Sequence, residues 1–362
     1  MKPRIIALFL PQFHTIPEND EWWGKGFTEW TNVRKARPLF VGHEQPRVPL
    51  NENYYDLSKA DTLRHQAELA RKYGVYGFCF YHYWFAGGKK LLEKPAELLL
   101  ENKDIDINFC FSWANEPWAR TWDGKAHHVL MPQEYGGEQE WRRHFEYLVP
   151  FFKDQRYIKE DGCPMFVIYK PQSMPDANAM MTLWDRLAKE AGFRGMHFVE
   201  TLRGGHADPR ELPFKAKMEF EPIRTNYCQK PLMLNYKRVR RRFIGLINSV
   251  FHTSFLLNTP FRFSDVAKRS LLLKSSANTY GGVFVGWDNT ARRGLVATIV
   301  LPPTKKEFKD YLREKIKITQ DEYKENYVFI NAWNEWCEGA YLEPDTVHGY
   351  DYLEAIKELE NE

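Results

Sequence analysis

Three glutamates stand where bond-breaking chemistry would need them, each among tryptophans. Glu335 and Glu338 belong to Asn331-Ala332-Trp333-Asn334-Glu335-Trp336-Cys337-Glu338-Gly339, and Glu116 to Ser112-Trp113-Ala114-Asn115-Glu116-Pro117-Trp118. Cleaving a glycosidic bond requires an acid for the leaving oxygen and a base or nucleophile for the anomeric carbon, so paired carboxylates are the expected solution. A spacing of three points two side chains to opposite faces of a continuing strand. Where a strand ends in a loop or a helical turn, both can face one cavity. A lone glutamate is equally well explained as a structural carboxylate holding an arginine or a backbone N–H. Two separate Asn-Glu strand ends rich in tryptophan weaken that explanation.

The chain has 15% aromatic residues, with 12 Trp. An indole needs a face to cover and a partner for its N–H. An aromatic-rich core would satisfy both, but position argues otherwise. Tyr81-His82-Tyr83-Trp84 and Gly286-Trp287-Asp288-Asn289 close two further apolar runs, and Glu21-Trp22-Trp23-Gly24 and Phe27-Thr28-Glu29-Trp30 fill a long loop. Flat rings with polar edges suit a pyranose. The expectation is that Tyr81, His82, Trp84, Trp113, Asn115, Trp118, Trp287, Asp288, Trp333 and Asn334 bind sugar in one cavity beside Glu335, Glu338 and Glu116.

Other chemistries find no support. His14, His82, His127 and His128 form no metal-binding pattern, so no metal is expected. There is no phosphate loop, no nucleophile elbow and no dinucleotide-binding glycine pattern, so no cofactor is expected either. Five cysteines without short spacing read as free thiols of a reducing compartment. The 51 basic and 48 acidic residues leave a formal charge of +3, too little to argue for nucleic acid.

Eight apolar runs would position these residues: 4–10, 75–84, 107–114, 165–169, 197–201, 218–221, 282–288 and 327–333. They are nearly continuous, as in parallel strands buried on both faces. Helical faces alternate with them: Ala60, Leu63, Ala67 and Ala70 before Gly74; Trp141, Phe145, Leu148 and Phe152; Met180, Leu183, Leu187 and Ala191 before Gly192; and Phe308, Leu312 and Ile316. Eight such repeats predict an α/β fold, a single (β/α)8 TIM barrel over residues 1–362, with long loops after strands 1 and 6. A doubly wound open sheet is the rival. Catalytic residues of a barrel lie at the C-terminal strand ends, where the glutamates and tryptophans fall.

The loop after strand 6 carries Lys237, Arg238, Arg240, Arg241 and Arg242. They read either as a solvated helix face or as a basic lip for an acidic glycan, a peripheral lipid surface or a partner. No apolar stretch reaches the ~18 residues of a membrane span. The first strand starts at Arg4 and leaves no room for a cleaved signal, so a cytoplasmic setting is expected.

Leu8-Phe9-Leu10-Pro11-Gln12-Phe13-His14, Pro17-Glu18-Asn19-Asp20 and the run Trp22 to Val33 resemble the opening of the WbsX-like family, named for glycosyltransferases of O-antigen and capsule gene clusters. Gly77-Phe78-Cys79-Phe80-Tyr81-His82-Tyr83-Trp84 and the two Asn-Glu segments continue the likeness over nearly the whole chain. That family is similar in turn to glycoside hydrolase family 99, endo-acting α-mannosidases on a (β/α)8 barrel. This resemblance implies that Glu335 and Glu338 are the catalytic pair. Glu335 would take the proton of the sugar's own 2-hydroxyl, which attacks the anomeric carbon to give a 1,2-anhydro sugar. Glu338 would protonate the leaving oxygen and then activate water, while Glu116 positions a hydroxyl. Such an attack needs an axial 2-hydroxyl opposite an axial leaving group, which favours α-mannosides and α-rhamnosides. Three functions stay open: a retaining glycoside hydrolase, a glycosyltransferase of surface polysaccharide synthesis, and a non-catalytic glycan-binding barrel. No glycine-rich nucleotide loop speaks for the transferase, and binding alone would not need a glutamate pair.

Overall fold

The computed structural model describes residues 2–119, 129–204, 207–227 and 260–360, the isolated positions 239, 243, 244, 247 and 250, and Glu362. His127, His128, Lys237, Arg238, Arg240, Arg241 and Arg242 lie outside the described residues.

Each of the eight apolar runs forms one barrel strand, in order. They are β1 (Arg4–Phe9), β2 (Gly77–Trp84), β3 (Asn108–Trp113), β4 (Cys163–Ile168), β5 (His197–Leu202), β6 (Ala216–Glu219), β7 (Thr279–Phe284) and β8 (Tyr327–Asn331). Every neighbouring pair is parallel. β8 returns to β1 with Arg4 opposite Tyr327, and this pairing closes the barrel. An open sheet is thereby ruled out.

The helices follow the expected faces. α1 (Pro17–Trp23) and α2 (Glu29–Lys35) occupy the excursion after β1, and α3 (Ala60–Lys72) completes that crossover. Gly74 follows at φ +85°, a left-handed conformation that ends the helix without the strain a side chain would bring. α4 (Lys94–Glu101), α5 (Glu138–Lys153) and α6 (Ala177–Glu190) follow β2, β3 and β4. α7 (Ile223–Tyr227) and α8 (Phe263–Leu272) lie in the excursion after β6. α9 (Thr290–Arg293) and α10 (Lys305–Asp321) follow β7, and α11 (Asp351–Glu360) follows β8. α10 opens on a capping box in which Thr304 and Glu307 satisfy each other's backbone N–H.

The alternation lapses once. Between β5 and β6 the described residues form no helix. The Arg210 guanidinium instead donates to the Pro171 and Met174 carbonyls, each at 2.6 Å, and ties this crossover to the loop after β4. One hydrophobic cluster runs from Ile5 on β1 to Ile356 on α11.

Candidate functional site

A cavity of about 620 Å³ opens at the C-terminal strand ends. Its wall draws on Gln12 after β1, Tyr81 and Tyr83 on β2, Glu116 after β3, Tyr169 after β4, Phe220 after β6, Trp287 after β7, and Glu335 and Glu338 after β8.

Two asparagine clips aim the glutamates. The Leu10 N–H donates to Asn334 Oδ1 at 2.7 Å while Asn334 Nδ2 donates to the Leu10 carbonyl at 2.9 Å. The Lys170 N–H donates to Asn115 Oδ1 at 2.8 Å while Asn115 Nδ2 donates to the Lys170 carbonyl at 2.9 Å. In each case the amide pins one strand end to the next, and the following residue, Glu335 or Glu116, faces the cavity. Both asparagines are fully buried, their amides occupied by these bonds, and neither lines the cavity.

The spacing of three is resolved by one turn of 3-10 helix, Trp336–Glu338. Three residues per turn bring Glu335 and Glu338 to the same side. Antiparallel pairing of Asn334–Glu335 with Ala340–Tyr341 closes the turn. Gly339, at φ +58°, makes the reversal, and a Cβ there would lie 2.9 Å from that of Asp288.

Arg292 of α9 joins the pair. Its Nη1 donates to Glu338 Oε1 at 2.7 Å and its Nη2 to Glu335 Oε2 at 3.3 Å. Nη2 and Nε also reach Glu29 Oε2, at 3.2 and 3.3 Å. Burial pushes the Glu335 carboxyl up to about 8, against the opposing pull of Arg292. Burial likewise raises Glu338, again opposed by Arg292. Burial, reinforced by nearby Glu335, raises the Tyr81 phenol, which stays neutral. Glu116 behaves oppositely. Burial disfavours its charge, but Lys170 at 2.8 Å and Arg203 at 3.1 Å outweigh burial and hold it below the ordinary carboxylate range.

Of the aromatic residues expected to bind sugar, Tyr81, Trp118 and Trp287 line the cavity; His82, Trp84, Trp113 and Trp333 do not. The reason is strand alternation. Tyr81 and Tyr83 point inward, so His82 and Trp84 point out toward α5. There His82 Nε2 meets His144 Nε2 at 2.8 Å and Trp84 stacks on His144 at 4.3 Å. Burial takes the His82 imidazole down to about 3. Trp113 packs edge-on against the same His144, and Trp333 packs against Phe78, 4.9 Å between centroids. Asp288 also lies behind the wall, accepting from Gln45 at 2.6 Å and bonded to His43 at 2.8 Å. Other rings line the cavity in their place: Trp23, Phe27, Tyr83, Tyr169 and Phe220. Arg292 and Glu29 were not singled out from the sequence. Their signals were a carboxylate inside Phe27-Thr28-Glu29-Trp30 and a paired arginine one turn past Trp287-Asp288.

The sequence model of the family described as Glycosyltransferase WbsX matches residues 5–356. The chain belongs to this family. Its relatives include the protein described as uncharacterized protein WxcX of Xanthomonas campestris pv. campestris, from strains ATCC 33913 and B100. Each is 37% identical over 356 residues, covering 98% of this chain and 49% of the relative. The chain thus spans about half the length of the curated relatives it matches. Among solved structures, the GH99 endo-alpha-mannosidase from Bacteroides thetaiotaomicron aligns with a TM-score of 0.55 at 14% identity, over 99% of this chain and 96% of that one. A protein described as glycoside hydrolase-like aligns with a TM-score of 0.58 at 12% identity, over 99% and 94%. These likenesses establish the barrel fold. The family's description is that of a glycosyltransferase. Among the described residues, no helix is long and apolar enough to cross a membrane.

Proposed function

We propose that the protein is a retaining glycoside hydrolase acting on α-linked sugars of manno or rhamno configuration, with Glu335 and Glu338 as its catalytic pair. The observation that carries this reading is the pair itself: two carboxyls facing one cavity, both raised by burial, sharing a single guanidinium. Such a pair holds one proton near neutral pH and presents one acid and one base. In the reaction the sugar's 2-hydroxyl gives its proton to Glu335, O2 attacks the anomeric carbon, and the leaving oxygen takes the proton of Glu338. Water then loses a proton to Glu338 and opens the 1,2-anhydro ring, and Glu335 returns the proton to O2.

Arg292 lies closer to Glu338 than to Glu335. An entering 2-hydroxyl that donates to Glu335 favours its ionised form, so substrate would move the pair's proton to Glu338, where the leaving oxygen needs it. Glu116, ionised beside Lys170 and Arg203, serves as an acceptor for another hydroxyl. Lys237, Arg238, Arg240, Arg241 and Arg242 remain a candidate peripheral contact, and a cytoplasmic setting suits the free thiols of Cys79, Cys110, Cys163 and Cys337.

The family's description supports a second reading, glycosyl transfer from an activated sugar to a growing polysaccharide. One experiment separates them. The protein is incubated with aryl α-mannoside and α-rhamnoside, and in parallel with nucleotide sugars plus acceptor. Aryl release without nucleotide is the expected result; product formed only with nucleotide sugar would establish the transferase.

A further inference from the structure

The third carboxylate at Arg292 has no place in the reaction just described. Glu29 is 0% exposed and does not line the cavity, so no glycan touches it. It is nevertheless fixed to the catalytic turn: its backbone N–H donates to the Gln12 carbonyl at 3.2 Å, and its carbonyl accepts from Cys337 Sγ at 3.3 Å. Its carboxylate shares one guanidinium with Glu335 and Glu338.

We infer that Glu29 and Arg292 are positioning residues that together hold the Glu335–Glu338 pair at one shared proton. The inference rests on reading that pair as acid and base. Three ionised carboxylates around one guanidinium would leave two net negative charges in a largely buried cluster, which one bound proton relieves. Without Arg292 the excess would be three, favouring a second proton and leaving two acids but no base. Without the charge of Glu29, the whole guanidinium would act on the pair, favouring loss of its proton and leaving two bases but no acid. Arg292 therefore supplies charge, and Glu29 limits how much of it reaches the pair.

The other titratable neighbours do not upset this count. Burial raises Tyr81, Tyr83, Tyr169 and Cys337, all of which stay neutral. Arg293, exposed at the rim, adds a weaker, solvent-screened charge to Glu338.

The test needs no substrate. The whole protein is prepared with 13C-labelled glutamate carboxyls, the pair is assigned through Glu335→Gln and Glu338→Gln, and both resonances are titrated by NMR. The two midpoints belong to the pair as a unit. Arg292→Met should move both upward by roughly 1–3 pH units, the effect of removing an adjacent opposite charge. Glu29→Gln, which keeps volume and hydrogen bonding, should move both downward by less. If Arg292→Met does not fold, Glu29→Gln decides alone. Unmoved midpoints in Glu29→Gln would reduce Glu29 to a packing element and overturn the inference, as would unmoved midpoints in Arg292→Met. Failure to find a hydrolysed sugar would leave this result standing, so the two readings fail separately.

Discussion

Two walls of one cavity treat the same side chain in opposite ways. On the β7–β8 wall, Glu335 and Glu338 share Arg292 with a third carboxylate, and burial raises both. Across the cavity, Glu116 is paired with two cations, Lys170 and Arg203, and is lowered. All three are buried enough for desolvation to be the largest influence, so burial alone does not sort them. The ratio of cations to carboxylates does. A carboxylate-rich wall keeps a proton to exchange, and a cation-rich wall keeps a fixed acceptor. The position of a charge in the barrel matters less than the company it keeps.

The contrast is broken most directly by substitution. Glu335→Gln and Glu338→Gln should each lower turnover on a confirmed substrate by about 10²–10⁴-fold, the usual worth of general acid–base catalysis. Glycan affinity, read by calorimetry, should stay near that of the unaltered protein. Glu116→Gln should do the reverse, weakening binding more than turnover; equal behaviour of all three variants would erase the distinction between the walls.

A pH profile sharpens the same contrast. The pair loses its proton as pH rises through about 8, so kcat/KM should fall along that limb. Glu116→Gln should leave the limb in place, because Glu116 is already ionised there. On the opposite wall, Lys170→Met combined with Arg203→Met should weaken glycan binding roughly tenfold, by loosening one charge-assisted acceptor. A change in the high-pH limb on that double substitution would show the walls to be coupled.

The smallest effect is on stability. The Glu335 carboxyl sits at about 8 in the folded chain and near its ordinary 4.5 when unfolded. Its contribution is therefore fully present below about pH 4.5 and is lost as pH rises through about 8. Glu335→Gln cannot ionise and escapes that loss. Its melting temperature should exceed that of the unaltered protein by a few degrees at about pH 9 and match it at about pH 5.

Much of the scaffold was legible because burial on both faces writes continuous apolar runs and 3.6-residue helical stripes. Gly74 marked one helix end for the same local reason. The glutamates were legible because short motifs placed them at strand ends. The cavity lining was less so. The sequence suggests Tyr81, His82 and Trp84 together as lining, whereas a strand sends alternate residues to opposite sides, and of this segment Tyr81 and Tyr83 face the cavity. Arg292 and Glu29 stand 263 positions apart, and no local pattern announces that one guanidinium will bind both Glu29 and the pair. That the described residues between β5 and β6 form no helix was hidden likewise, because Arg210 ties this crossover to the loop after β4 through contacts made in three dimensions.

The asparagine clips carry a consequence for how this barrel can change. At both strand ends the backbone is anchored by the amide, not by the glutamate that follows, so the carboxylate can be exchanged without moving its support. Glu335→Gln should therefore serve as a trap in which an intact glycan is held for crystallography. The same separation gives evolution a modular socket: retuning needs one codon after the clip, whereas losing Asn334 would release the strand end and every group aligned by it.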